Sequence, residues 1–173
     1  MEAQQQERLR ARFDQFDANG NGSIEAGDFD LVAARLLREF GQSESSEKGR
    51  AVVASHRSYW EQLAEQLDTN RDGRISFEEF CRGVGRPELF DRVVRPYAQA
   101  IVAIADRDDD GYVQHDDFVA CLRALGFARE RIEAVHSSLS TEDGRVGAGA
   151  WVEFIAGFYT AGSGHPAQAL VAG

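Results

Sequence analysis

An all-α fold of four helix–loop–helix units, compact and arranged in two pairs, is predicted by three observations. Four short segments rich in Asp, Asn and Gly recur along the 173-residue chain with the same internal spacing. Each is flanked by apolar residues repeating every three or four positions, the period of an amphipathic helix. Hydrophobic residues make up 43% of the chain, 11 of them Phe, which is enough to bury a sizeable core and unlike a disordered chain.

The units follow in order. The first segment, DANGNGSIEAGD (residues 17–28), lies between Leu9, Phe13, Phe16 and Phe29, Val32, Leu36, Leu37, Phe40. The second, DTNRDGRISFEE (68–79), lies between Tyr59, Trp60, Leu63, Leu67 and Phe80, Val84. The third, DRDDDGYVQHDD (106–117), lies between Ile101, Val102, Ile104 and Phe118, Leu122, Leu125. The fourth, LSTEDGRVGAGA (139–150), lies between Ile132, Val135 and Trp151, Phe154, Ile155, Phe158. These apolar residues are expected in the core. Residues 41–50 (GQSESSEKGR) are expected to form a polar turn or loop between long helices. Pro87 is expected to stop the helix after the second segment, and Pro96 to bend or start the helix before the third. The expected division is 1–90 for units 1 and 2, and 91–173 for units 3 and 4 with a C-terminal tail.

The net charge of −10 resides in the four segments, and the remainder of the chain is close to neutral. Clustered carboxylates repel one another and need a cation to sit close together. Oxygen-bearing side chains fall at positions 1, 3 and 5 of each of the first three segments. Gly stands at 6, an aliphatic residue at 8, a carboxylate at 12 and an aromatic at 13. Alternate side chains on a tightly turning loop converge, Gly tolerates the sharp bend at 6, and position 7 offers only its carbonyl. The candidate ligands are therefore Asp17, Asn19, Asn21, Ser23 and Asp28 in the first loop. They are Asp68, Asn70, Asp72, Arg74 and Glu79 in the second, and Asp106, Asp108, Asp110, Tyr112 and Asp117 in the third. Glu25, at position 9, can add an oxygen to the first. The fourth loop places Leu139 at position 1 and Ala150 at 12, so no metal is expected there. Its expected role is to brace the third loop through Val146. The aliphatic residues Ile24, Ile75, Val113 and Val146 are expected to pair as short β-bridges.

This pattern, D-x-[DN]-x-[DN]-G with a carboxylate at the twelfth position, resembles the EF-hand family. The resemblance runs from about Leu9 to Tyr159. It implies calcium as the bound ion, held by three loops with the fourth degenerate. Glu at position 12 in loop 2 chelates with both oxygens and favours calcium. The shorter Asp28 and Asp117 should discriminate less against magnesium in loops 1 and 3. The uneven spacing of the loops and the degenerate last one resemble the sarcoplasmic calcium-binding proteins and their bacterial relative calerythrin more than calmodulin. Those relatives are compact, with their halves packed face to face.

Other classes are disfavoured. Net acidity argues against nucleic acid as a partner. No apolar stretch approaches the roughly 18–20 residues of a membrane span. The N-terminus lacks the apolar core of a secretory signal, so a cytoplasmic protein is expected. Cys81 and Cys121 read as buried free thiols. His115 lies at position 10 of loop 3, pointing away from the ion. His56, His136 and His165 have no Cys or His partners at zinc-like spacing and read as packing or surface residues. No nucleophile elbow or phosphate-cradling loop is present, so no enzyme is expected. A monomeric calcium buffer or signal modulator is the favoured role. The alternative is a sensor that opens a groove for a protein partner. Sensors of that kind expose Met-rich surfaces, and Met1 is the only methionine here. A third reading, a photoprotein holding a luciferin-like ligand, shares the plan and the many aromatics.

Overall fold

The computed structural model describes residues 3–83 and 87–160. Eight helices and one two-stranded ribbon follow in the order α1 (Ala3–Phe16), α2 (Ala26–Glu39), α3 (Glu47–Leu67), α4 (Phe77–Gly83), α5 (Pro87–Ala105), β1 (Tyr112–Val113), α6 (His115–Ala124), α7 (Arg129–Leu139), β2 (Val146–Gly147) and α8 (Ala148–Thr160). Each predicted loop falls between consecutive helices, so the four units form as α1–α2, α3–α4, α5–α6 and α7–α8.

The aliphatic residue at position 8 ties the loops in pairs. Ile24 N–H donates to Ile75 O at 3.0 Å, and Ile75 N–H returns the bond to Ile24 O at 2.9 Å. Val113 pairs antiparallel with Val146, and Tyr112 with Gly147. All four aliphatic side chains are fully buried, so each ribbon doubles as a piece of core.

Aromatic side chains fill the space under the loops. Phe13 meets Phe80 edge-on at 5.6 Å, and Phe16 and Phe29 both meet Tyr59 at 5.7 Å. Phe118 packs on Trp151 at 4.6 Å. The halves are joined by the same chemistry. Tyr59 of α3 lies 4.9 Å from Tyr97 of α5, and His56, one turn earlier, lies 4.8 Å from the same ring. α3 packs on α5 and α2 on α6, so no long helix separates the pairs. Gly49 is needed for a close approach: a Cβ there would collide with the backbone carbonyl of Ser43.

Several details differ from the sequence reading. The polar stretch 41–50 is not all loop, because Ser46 caps α3 by accepting from Gly49 N–H at 3.0 Å and the helix starts at Glu47. Pro87 opens α5, a position whose missing N–H costs the helix nothing, and the stop expected between α4 and Pro87 falls on residues 84–86, outside the described residues. Of the two places expected for Pro96, the start of a helix and its interior, the interior of α5 is the one observed, with Pro96 itself exposed. Cys121 is fully buried as expected, but Cys81 is only half-buried. Val84, His165 and the tail beyond 160 lie outside the described residues, as does the side chain of Phe158.

His56 is a buried polar residue that the periodicity alone disguises as surface. It is 1% exposed, its Nδ1–H donates to Val52 O at 2.8 Å, and its Nε2 has no partner. Burial pushes its pKa down to about 4. The neutral ring is stable in the fold, whereas the unfolded chain takes up a proton near pH 6.5. This contribution is therefore complete above pH 6.5 and is lost as pH falls toward 4, amounting to about 3 kcal/mol at the acid end. Thermal melts of the calcium-saturated protein between pH 7.5 and 4.5 should show a falling melting temperature, and His56→Phe should flatten the slope. Parallel slopes in the two proteins would refute this account.

Candidate functional site: three carboxylate-lined loops

In each of the first three loops the carboxylate at position 1 is clasped by two backbone N–H groups. Asp17 accepts from Asn21 N–H at 3.0 Å on one oxygen and from Gly22 N–H at 2.7 Å on the other. Asp68 accepts from Asp72 at 3.2 Å and Gly73 at 2.9 Å. Asp106 accepts from Asp110 at 3.2 Å and Gly111 at 3.0 Å. The clasp forces the chain to wrap around the carboxylate. Position 6 is then a Gly at φ +80° to +88° in all three loops. Position 4 is also left-handed: Gly20 in loop 1, but Arg71 (φ 59°) and Asp109 (φ 58°) in loops 2 and 3. Those two side chains carry a conformational cost of about 1–2 kcal/mol each.

Positions 3 and 5 continue the wrap. Asn19 Oδ1 accepts from Asn21 N–H at 2.9 Å, and Asn70 Oδ1 from Asp72 N–H at 3.0 Å. Asn21, Asp72 and Asp110 each accept from the N–H of position 7, which orients the peptides of Ser23, Arg74 and Tyr112. In loop 3 the carboxylates of Asp106, Asp108 and Asp110 bring oxygens within 4.8 Å of one another. Three like charges at that distance suit a hard cation with an oxygen shell.

Position 12 lies in the first turn of the next helix and also caps it. Glu79 accepts from Thr69 N–H (3.0 Å) and Thr69 Oγ1–H (2.8 Å) on one oxygen. On the other it accepts from Ser76 N–H (2.9 Å) and Ser76 Oγ–H (2.8 Å). Ser76 Oγ in turn accepts from Glu79 N–H at 3.3 Å, completing a reciprocal capping box. Burial raises the Glu79 pKa, but the donors from Ser76 and Thr69 outweigh it and hold the carboxyl down at about 2. It is thus an anion, 6% exposed, facing the loop. Asp28 is fully buried and accepts from Asn19 N–H at 3.1 Å and Glu25 N–H at 2.8 Å. There burial wins and the pKa is raised. The shorter Asp leaves a carboxylate less well served than Glu79.

Asp117 behaves differently. Its Oδ1 accepts from Arg107 Nε–H at 2.7 Å, and Arg107 also lies over the Phe40 ring at 4.9 Å. Two more cations reach loop 3 from elsewhere. Lys48 Nζ, on α3, pairs with Asp109 at 2.8 Å, and Arg145 of loop 4 pairs with Asp110 at 3.2 Å. The sequence reading identified none of these counter-charges. The Ser76–Glu79 capping box could have been found from its S-x-x-E spacing, but nothing local marks Lys48.

Loop 4 keeps only part of the geometry. Gly144 is left-handed (φ 78°), but with Leu139 at position 1 there is no clasp. Thr141 N–H donates to Arg145 O at 2.8 Å instead, and Asp143 is engaged by the Thr141 hydroxyl and by Arg145 at 2.7 Å. These partners hold its pKa at about 2. Its free carboxylate is already neutralised within the loop, and Val146 supplies the strand to loop 3.

The EF-hand domain pair family matches residues 6–85 and again 98–125. The chain belongs to the EF-hand family. Calerythrin of Saccharopolyspora erythraea is 26% identical over 141 residues, spanning 78% of this chain and 80% of its own. The sarcoplasmic calcium-binding protein alpha chain of Penaeus vannamei is 28% identical over 151 residues, spanning 80% and 76%. A solved calcium-binding protein of Streptomyces coelicolor, described as a structural basis for prokaryotic calcium-mediated regulation, is 34% identical. It superposes with a TM-score of 0.80 over 90% of this chain and 98% of its own. Calcium binding is thus the common property of this EF-hand protein and its relatives.

Loop 3 should respond to the loss of its neighbouring cation. A unit charge about 6 Å from a divalent ion in water opposes it by about 1.4 kcal/mol, or roughly tenfold in affinity. Arg107→Ala should therefore tighten calcium at loop 3 by up to about tenfold in calorimetry at low salt, with the gain shrinking as salt is raised. A weaker or unchanged loop 3 would show that Arg107 serves the site rather than opposing it.

Proposed function

We propose that the protein is a monomeric cytoplasmic calcium buffer or signal modulator without catalytic activity. Three ions bind per chain, in loops 1, 2 and 3, through the fifteen residues identified from the sequence. Two halves, 1–90 and 91–173, each hold one pair of hands. The observation that carries this reading is the clasped carboxylate repeated in three loops and missing from the fourth. Magnesium is accepted at loops 1 and 3, where Asp replaces Glu at position 12.

The closed role is supported by where the apolar faces go. Among the described residues, Tyr112 is the one large hydrophobic side chain that stands exposed, and the rest of each hand is spent on the shared core. Among the described residues, no helix is long and apolar enough to cross a membrane. The cavity lined by Phe16, Phe29, His56 and Tyr97 is about 30 Å³, room for a water or two. The regulatory role described for the Streptomyces protein favours one second reading, a sensor that exposes a groove on binding calcium.

Native mass spectrometry under saturating calcium should count three ions, and a fourth would overturn the assignment of loop 4. Glu79→Gln should reduce the count to two with the helix content unchanged, because Gln still closes the capping box while one ligand charge is lost. Three ions in that variant would show that loop 2 is misassigned.

A hydrophobic dye separates the two roles. Its fluorescence should fall or stay flat on adding calcium, while the melting temperature rises by mass action. A large rise, reversed by chelator and absent with magnesium, would establish the sensor instead.

A further inference from the structure

His115 and His136 are 21 positions apart in sequence, yet their rings meet edge to face with centroids 4.6 Å apart. His115 is the first residue of α6, directly after β1. His136 and Glu133 lie on α7 three residues apart, hence on one face of that helix. The β1–β2 ribbon draws the start of α6 against the α7–α8 unit and so brings the three side chains together. One ligand atom from each lies within 4.8 Å of the others. His115 Nε2 is already 3.0 Å from Glu133 Oε2. Two ligand atoms on one zinc ion, at bonds of about 2.0–2.1 Å, stand about 3.3 Å apart.

We propose that His115, Glu133 and His136 form a separate site for a borderline transition-metal ion, zinc above all, beside calcium loop 3. The donor set decides the class of ion. Two imidazoles and one carboxylate suit zinc and its neighbours, whereas calcium and magnesium take oxygen shells.

The outer partners are those a metal-binding histidine needs. His136 Nε2–H donates to Gly144 O at 3.0 Å, which fixes the tautomer and leaves the Nδ1 lone pair for a ligand. His115 Nδ1–H faces Asp116 Oδ1 at 3.2 Å, which leaves Nε2 turned toward Glu133. That is a carboxylate–histidine pair of the kind that raises ligand basicity. Phe118 closes one side, its ring 5.5 Å from that of His136. The other oxygen of Glu133 lies 3.8 Å from Arg129 Nε, an exposed pair that does not occupy the face toward the histidines. His115 and Glu133 are each about 40% exposed, so an ion has a route in and a fourth position is left to water. His136 is half-buried. The ion would link α6 to α7 only two residues from Asp117.

The test is a zinc titration by calorimetry of the full chain with calcium held saturating, so that the oxygen-rich loops are occupied. Cobalt serves as a second probe, because four-coordinate cobalt absorbs in the visible. One equivalent of zinc should bind. His115→Gln and Glu133→Gln should weaken it more than tenfold and abolish the cobalt band, and Asp116→Asn should weaken it by about tenfold. Both ligand substitutions sit at half-exposed positions, and unchanged far-UV circular dichroism and calcium count would show the fold intact. No zinc uptake under saturating calcium would overturn the proposal. So would equal zinc affinity in the native chain and in His115→Gln and Glu133→Gln.

Discussion

Two N–H groups on one carboxylate organise each of the first three loops. Once the position-1 Asp is held by the peptides of positions 5 and 6, the intervening residues have no freedom to spread. Positions 3 and 5 must then turn their oxygens inward, and positions 4 and 6 must pass through left-handed backbone. The clasp also presents the carboxylates to one another at a distance that is unfavourable without a counter-ion. Structure and ion demand are therefore one arrangement. Loop 4 shows the converse. With Leu139 at position 1 its polar groups turn to each other, and Arg145 ends on Asp143 and Asp110.

The second organising element is the double duty of position 12. Glu79 fills the bonding capacity of a helix N-terminus and stays ionised for the loop at the same time. A helix start and a ligand are thus specified by one side chain, and the α4 axis is set relative to loop 2 by the same bonds. Asp28 does this with a shorter reach and a fully buried carboxyl. Asp117 is drawn off to Arg107, so the three loops hold their twelfth carboxylate in different degrees of preparation.

What was legible in the sequence is what repeats. Oxygen-bearing positions, the paired aliphatic residues Ile24, Ile75, Val113 and Val146, and the flanking apolar periods all recur at fixed offsets. The structure brings the loops and their ribbons together as the offsets imply. What was not legible depends on contacts distant in the chain. Lys48 reaches Asp109 across the interface of the two halves, and no local pattern announces it. His56 looks like one more polar residue of α3 until Tyr97 closes over it. His136 was judged by its sequence neighbours, and its partner comes from another helix. The left-handed backbone at the position-4 residues Arg71 and Asp109 is equally hidden, because at a non-Gly residue it has no signature in composition.

The β1–β2 ribbon bears on how such a chain can change over generations. A loop with Leu139 at position 1 and Ala150 at position 12 has lost both end carboxylates, and exposed positions such as Ala150 can drift without loss to the third loop. Val146 cannot, because its side chain is fully buried and its backbone holds Val113. Decay of a repeat is then uneven within twelve residues: the ion-facing letters go and the neighbour-facing one stays. A fossil hand of this kind persists as the mould against which a working one is cast.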